Sequence, residues 1–509
     1  MLGHSTDMNQ RKAGIVLALV LLTFAAHYRG LSGQFVDWDD TTHITQNLHI
    51  RSLSPANLWA MFTVPAAKLY VPMTWLTFAL DYQIWGRHAF GYHLTNLLLH
   101  VANTVLVFFL VTRLVRVHSR PVAALTAALF GVHPLHVESV AWATERKDVL
   151  FAFFYLLGLL AYLRWQDNRS RSAYWCVFGL FILSILSKSA AVTFPLVLLL
   201  LDRIRLQRMA FAEKIPFFAA AAVITLATLS AQAFGRGETV APLQAIPFWA
   251  RLGLVGYCPL FYVGKFLLPF HLCPIYPTFD EMGWTPVRAA VWVAAFVAVC
   301  IAAYATRRSW PVAWPAWLFY LITLLPTIGL LPVGIHVVAD RYSYLPILGL
   351  SLILSDAVVA LADVRPRWRR IVYSLAGAIV MGLASLSAYY DGAWHNTETL
   401  FRSVLAQYPN CLPAHINLTV WYNRHNQLEE AIFHGQRAVE IAPAGLIGRK
   451  NLAWALIKAG RYREAVAVLQ VAVQHGVDDP DVWRALYESF VALGDEKNAA
   501  AAHNRLRRF

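Results

Sequence analysis

Charge is scarce in this chain. Only 14% of its 509 residues are Asp, Glu, Lys or Arg, where a soluble domain carries about 25%. With a hydrophobic fraction of 58% and a mean hydropathy of +0.49, that scarcity excludes an ordinary soluble globular protein. Acidic residues are the scarcer sign, 29 against 43 basic, which leaves a net charge of +14. In a soluble protein that excess would suggest nucleic acid. Here most Lys and Arg sit in short loops between apolar runs, so the excess reads as membrane topology, and no nucleic-acid partner is expected. Cysteine is also sparse. Cys176, Cys258, Cys273, Cys300 and Cys411 show no metal-type spacing, and only Cys258 and Cys273 are candidates for a disulfide outside the membrane. The first apolar run, residues 13–26, has no small-residue cleavage site before the polar stretch 34–40. It is expected to remain as a span.

Apolar stretches near 20 residues recur from residue 13 to residue 390, the signature of a transmembrane helix bundle. The basic loops hold Arg11 and Lys12, residues 113–120, 164–171 and 203–214, Arg307 and Arg308, and residues 365–370. All fall on the cytoplasmic side if the chain makes about eleven spans and residues 246–270 form an interfacial or re-entrant segment. That stretch carries Arg251, Lys265, three prolines and three glycines, which suits it poorly to spanning. The C-terminus then lies outside. The outer face collects residues 37–40, 144–148, Lys188, 236–238, 271–280 and 339–342. This convergence predicts an active site on the extracytoplasmic (periplasmic) side of the inner membrane. The first outer loop, residues 31–92, holds two Trp- and Phe-rich stretches, 58–62 and 70–78. They read as interfacial helices that either roof a cavity or plug the bundle.

Residues 391–509 change character. Leu418, Leu452 and Leu486 recur at a spacing of 34, as do Asn426, Gly460 and Gly494, and Ala431, Ala465 and Ala499. This is the tetratricopeptide period, with small residues where the two helices of a hairpin touch. Stepping back one period from Ala431, Ala438 and Pro443 gives Thr397, Val404 and Pro409. A partial repeat therefore follows the last span, with its first helix open to being continuous with it. The expected organisation is an all-α chain, a transmembrane bundle over 1–390 and a short α-solenoid over 391–509. The solenoid either binds a polypeptide or partner, or caps the membrane domain.

Ionisable groups inside or against a membrane need partners, water or a job. Asp37, Asp39 and Asp40 surround Trp38 just after the first span. The tract 133–148 carries His133, His136, Glu138, Glu145, Arg146, Lys147 and Asp148. Two readings stand: an ion-paired helix hairpin, with Glu145 on Arg146 and Lys147 on Asp148, or a wet site that Glu138 and His136 face and where Arg146 or Lys147 meets a phosphate. Arg341, with Asp340 to orient it or simply as a helix cap, and Lys188 are further candidate phosphate ligands, since guanidinium binds phosphate in a fork and stays charged. The histidines flank Pro134, which argues against a shared helical face for metal.

Taken together, Phe35 to Asp40, Gly91 to His100, the tract 133–148, Lys188 and residues 339–350 resemble the transmembrane-and-tetratricopeptide O-mannosyltransferase family, in its bacterial branch. The resemblance covers nearly the whole chain, including the order of spans and repeats. It implies a GT-C fold similar to protein O-mannosyltransferases and a sugar carried on a polyprenyl or dolichyl phosphate. It also implies an acidic pair in the first outer loop, matched here by Asp39 and Asp40. Arg341, Lys188, Arg146, Glu138 and His136 are then the donor-side candidates, and a protein or glycan hydroxyl is the acceptor. No cofactor is required by these residues, and a divalent cation is left open. The chemistry fits independently. A hydroxyl acceptor needs a carboxylate to take its proton as the new C–O bond forms, and an anionic lipid phosphate leaves best among fixed cations. The alternative class is a non-catalytic scaffold or transporter whose repeats recruit a partner. A transporter should place charge at mid-span on paired broken helices, a pattern not clear here.

Overall fold

The computed structural model describes residues 2–64, 70–234, 246–329 and 337–509, and among these every regular element is helical. The chain divides into two compact units, residues 1–35 with 39–395 and residues 36–38 with 396–509.

Among the described residues of the first unit, seven helices are long and apolar enough to cross a membrane, including Gln10–Ser32, Ala89–Leu114, Ala143–Asn168, Ile347–Val364 and Pro366–Trp394. Ser119–Val132, Arg171–Ser187 and Ala313–Thr327 are shorter apolar helices. The chain is a multi-pass membrane protein. The stretch read from sequence as interfacial forms one helix, Phe248–Leu267, with Pro259 inside it, and it is not among the seven. The outer-loop stretch 236–238 lies outside the described residues.

The most enclosed spans are Ala143–Asn168 and Ala89–Leu114, with 67% and 56% of their apolar windows buried against 6% for Pro286–Ala305. Polar side chains join these two central helices, because between membrane helices packing and hydrogen bonds must do what water exclusion does elsewhere. Asn103 Nδ2 donates to Val149 O at 2.8 Å and to Tyr344 Oη at 3.0 Å, and Asn96 Nδ2 donates to Trp142 O at 3.0 Å. Close approach also needs small residues. A Cβ on Gly349 would stand 2.4 Å from the backbone oxygen of Ala316. Backbone cannot move aside as a side chain can, so Gly349→Ala should destabilise the bundle by about 1–3 kcal/mol, read as a lowered unfolding midpoint in detergent.

The first loop folds onto the bundle. Pro55–Thr63 and Pro72–Trp85 are helices with Pro in the first turn. They bury Met61, Trp75, Phe78 and Ala79 with Ile44, Ile50, Tyr92 and Ala143 in one core. Trp59 stays 72% exposed and Ile84 71%, as suits helices with one face toward lipid. Thr74 Oγ1 donates to Ser187 O at 3.0 Å, which ties this core to the end of the Arg171–Ser187 helix. Cys258 and Cys273 form no disulfide: their thiols donate to backbone carbonyls, Val337 O and Ile275 O respectively.

In the second unit, Thr397–Gln407 is followed by three helical hairpins that end with Glu496–Leu506. Leu418, Leu452 and Leu486 are buried, as are Ala431, Ala465 and Ala499. Asn426, Gly460 and Gly494, one period apart, have φ of +60°, +74° and +71°. The period therefore reports a left-handed turn that Gly adopts freely and Asn tolerates. The first repeat helix is not continuous with the last span. Pro366–Trp394 ends before it, and Asn396, extended at φ −156°, opens a capping box with Thr399. Residues 36–38 belong to this unit through Asp37, whose carboxylate pairs with Arg424 at 2.8 Å and whose amide donates to Thr397 Oγ1 at 2.8 Å.

Candidate active site

The tract 133–148 is a broken run of short helices. Pro134 starts a single turn to His136, Val137–Ala141 is helical, and Trp142 then adopts an extended conformation before Ala143–Glu145 and the long helix from Arg146. The break presents Glu138, Trp142, Thr144, Glu145, Lys147 and Asp148 to partners that sequence distance hides.

Asp39 and Asp40 have different surroundings. Asp40 is buried, and its Oδ1 accepts from Thr144 N at 3.0 Å and Thr144 Oγ1 at 2.5 Å. Asp39 is half-buried, and among the described residues its carboxylate makes no hydrogen bond or ion pair. It acts on His43 and Lys147 through its field alone. His43 is held by Trp75, whose Nε1 donates to Nδ1 at 3.1 Å. Burial, and then Lys147, push this imidazole down to about 4. It is neutral near pH 7, with its proton assigned to Nε2.

Facing this acidic pair is a cationic cluster. Lys147 Nζ lies 3.0 Å from Glu145 Oε1, and Arg341 Nε lies 3.5 Å from the same oxygen. Lys188 Nζ pairs closely with Asp148 Oδ1 and stands 3.9 Å from Glu145 Oε2. Arg341 Nη1 pairs closely with Glu138 Oε1, and its amide donates to Glu138 Oε2 at 3.0 Å. Burial opposes charge on Arg341, but Glu138 overcomes that and raises the guanidinium above its ordinary value, so it stays cationic. The Trp142 ring lies 5.7 Å from Lys147 Nζ and 5.8 Å from Arg341 Cζ, within cation–π range. The side chains of Lys188, Lys147 and Arg341 keep 18%, 10% and 10% exposure, against 1% for Glu145, so the cations edge the cluster and the carboxylate lies beneath them.

Two donor-side candidates sit elsewhere. Arg146 is fully buried and committed to the packing of the first loop: it pairs with Asp81 at 2.7 Å, donates to Tyr92 O at 2.8 Å and bonds Asn96 closely. Lys147 takes its place in the cluster. His136 is also fully buried, with Nδ1 2.7 Å from Phe130 O and Nε2 3.0 Å from Tyr344 O, so it braces the bundle. The adjacent-residue pairs expected in the hairpin reading do not form: Glu145 pairs with Lys147 and Asp148 with Lys188. Nor does Asp340 orient Arg341. It accepts from Tyr276 Oη at 2.8 Å, and Glu138 does the orienting. Sequence reasoning missed His43, whose signal is one polar residue in an otherwise ordinary loop segment, and gave no role to Thr144 at the head of the outer stretch 144–148. Among the described residues no cluster of three or more His, Cys, Asp or Glu is arranged to hold a metal ion.

A tetratricopeptide-repeat family pattern matches residues 424–487. Protein O-mannosyl-transferase TMTC4 of Mus musculus is 27% identical over 80% of this chain and 63% of its own length. Protein O-mannosyl-transferase TMTC1 of Homo sapiens is 25% identical over 88% of this chain and 58% of its own. The chain thus spans about three fifths of the length of these relatives. Among solved structures, ArnT from Cupriavidus metallidurans bound to undecaprenyl phosphate aligns over 91% of this chain and 80% of its own, with 13% identity and a TM-score of 0.37. These relatives of the chain are named protein O-mannosyl-transferases, the kind of enzyme its motifs resemble.

Proposed function

We propose that this chain is a GT-C-type glycosyltransferase. It moves a hexose, mannose by analogy with its relatives, from a polyprenyl-phosphate donor to a hydroxyl acceptor, Ser or Thr of an exported protein, at the periplasmic face of the inner membrane. The observation that carries this reading is the pairing of Asp39, a carboxylate with no hydrogen bond or ion pair among the described residues, with three cations, Lys147, Lys188 and Arg341, gathered on Glu145. A carboxylate in that state is able to accept a proton, whereas Asp40 is already engaged by Thr144. In the reaction the acceptor oxygen attacks the anomeric carbon as Asp39 takes its proton. The bond from that carbon to the phosphate oxygen breaks with its electron pair staying on the phosphate, and the cations stabilise the charge that develops. Asp40 and Thr144 fix the loop that carries Asp39. No step is routed through a metal ion. The repeats supply an extended surface of the kind that holds polypeptide.

The reading is tested by glycoproteomics of the cell envelope with and without the protein. Loss of a hexose mass from Ser or Thr peptides on deletion, restored by the wild-type chain and not by Asp39→Asn, is the expected result. An unchanged glycopeptide inventory would remove the protein acceptor from the proposal.

A further inference from the structure

We infer that Glu145 is a positioning residue that acts through Lys147, Lys188 and Arg341 to weaken the hold on the spent lipid phosphate. This inference rests on the glycosyltransferase reading above.

A buried carboxylate is costly unless each of its oxygens is compensated. The other acids near the cluster each have a close cation of their own: Glu138 has Arg341, Asp148 has Lys188, and Asp81 has Arg146. Glu145 has Lys147 at 3.0 Å and shares two further cations with its neighbours. It is buried, all three cluster cations lie within 3.9 Å of it, and its Oε2 takes no hydrogen bond. Arg341 and Lys188 keep acids of their own without it, Glu138 and Asp148, while Lys147 has its ion pair with Glu145 itself. What it does do is set the charge. Lys147, Lys188 and Arg341 are matched in number by the carboxyl groups of Glu138, Glu145 and Asp148, and Glu145 sets one negative charge directly behind all three cations.

That balance separates substrate from product. The donor phosphate is a diester and carries one negative charge. After transfer the lipid bears a monoester, whose second ionisation lies near pH 6 and which approaches two charges at neutral pH. A fixed negative charge behind the cations opposes the product by about twice as much as the donor. Replacing Glu145 with Gln keeps the shape of the side chain and leaves the cluster one charge more positive, so product should be retained.

The test uses purified full-length protein in detergent, with a short-chain polyprenyl phosphate as probe and the matching uncharged polyprenol as control. Glu145→Gln should bind the polyprenyl phosphate roughly tenfold tighter or more, lower the apparent donor KM and lower kcat. Glu145→Asp, which keeps the charge, should stay near wild type in all three. A purely structural role predicts the opposite, weaker binding and higher KM in both variants. Folded Glu145→Gln protein that binds the probe no tighter than wild type overturns the inference while leaving the glycosyltransferase reading standing. Wild-type protein that binds the phosphate no better than the polyprenol overturns both.

Discussion

Asp39→Asn lowers sugar transfer by about two orders of magnitude or more, the usual scale for loss of a general base, and leaves the protein folded. Both halves follow from the surroundings of the residue. Asp39 is half-buried and its carboxylate makes no hydrogen bond or ion pair among the described residues, so an amide there strands no partner. It faces Lys147 and the neutral His43, which leaves its oxygens available to an incoming hydroxyl. Asp40→Asn behaves differently. Its Oδ1 holds Thr144 at both the amide and the hydroxyl, and an Asn carbonyl can still accept from either, though more weakly than an ionised carboxylate. Its loss should be milder in rate and visible in the unfolding midpoint. The measurement is transfer from a polyprenyl-phosphate hexose donor by each variant, beside thermal unfolding in the same detergent. Near-normal turnover by Asp39→Asn would remove it as the base, and a larger rate loss in Asp40→Asn at unchanged stability would exchange the two roles.

The difference in surroundings between Asp39 and Asp40 was not legible in the sequence. Asp39 and Asp40 are neighbours of identical chemistry, and what separates them is Thr144, 104 residues away. The same limit hid the partners of the candidate donor ligands. Arg146 meets Asp81 across 65 residues and Arg341 meets Glu138 across 203, while sequence reasoning could only pair charges that stand next to each other. A usable hint was present: Asp81 is an isolated acid on an apolar helix, and such a residue requires a cation. The membrane domain and the repeats were legible because each rests on a periodic cause. Apolar runs of about 20 residues answer the thickness of a bilayer. The recurrence of Asn426, Gly460 and Gly494 answers a backbone turn with positive φ. Helix continuity after the last span stayed open in the sequence because the capping box of Asn396 and Thr399 stops a run whose propensity alone gives no reason to stop.

The second large effect is expected at Arg341, where stability and activity should come apart. Arg341→Ala leaves Glu138 buried without its cation, since Nη1 and the backbone amide of Arg341 both serve that carboxylate. Removing one partner of a buried pair costs about 3–5 kcal/mol, so this variant should unfold at a clearly lower temperature and lose transfer. That result alone would not distinguish a phosphate ligand from a structural brace. Arg341→Lys keeps the charge but loses the planar fork that spans Glu138 and Glu145. It should lose less stability, while its donor KM rises. The decisive variant replaces both members, Glu138→Leu with Arg341→Leu. Buried ion pairs are often exchanged for apolar pairs at little cost or with a gain, so most of the stability lost in Arg341→Ala should return. Transfer should not return, because the cation that faces the leaving phosphate is still missing. Recovery of both stability and donor turnover in the double variant would make Arg341 a brace for Glu138 and leave Lys147 and Lys188 to hold the lipid phosphate.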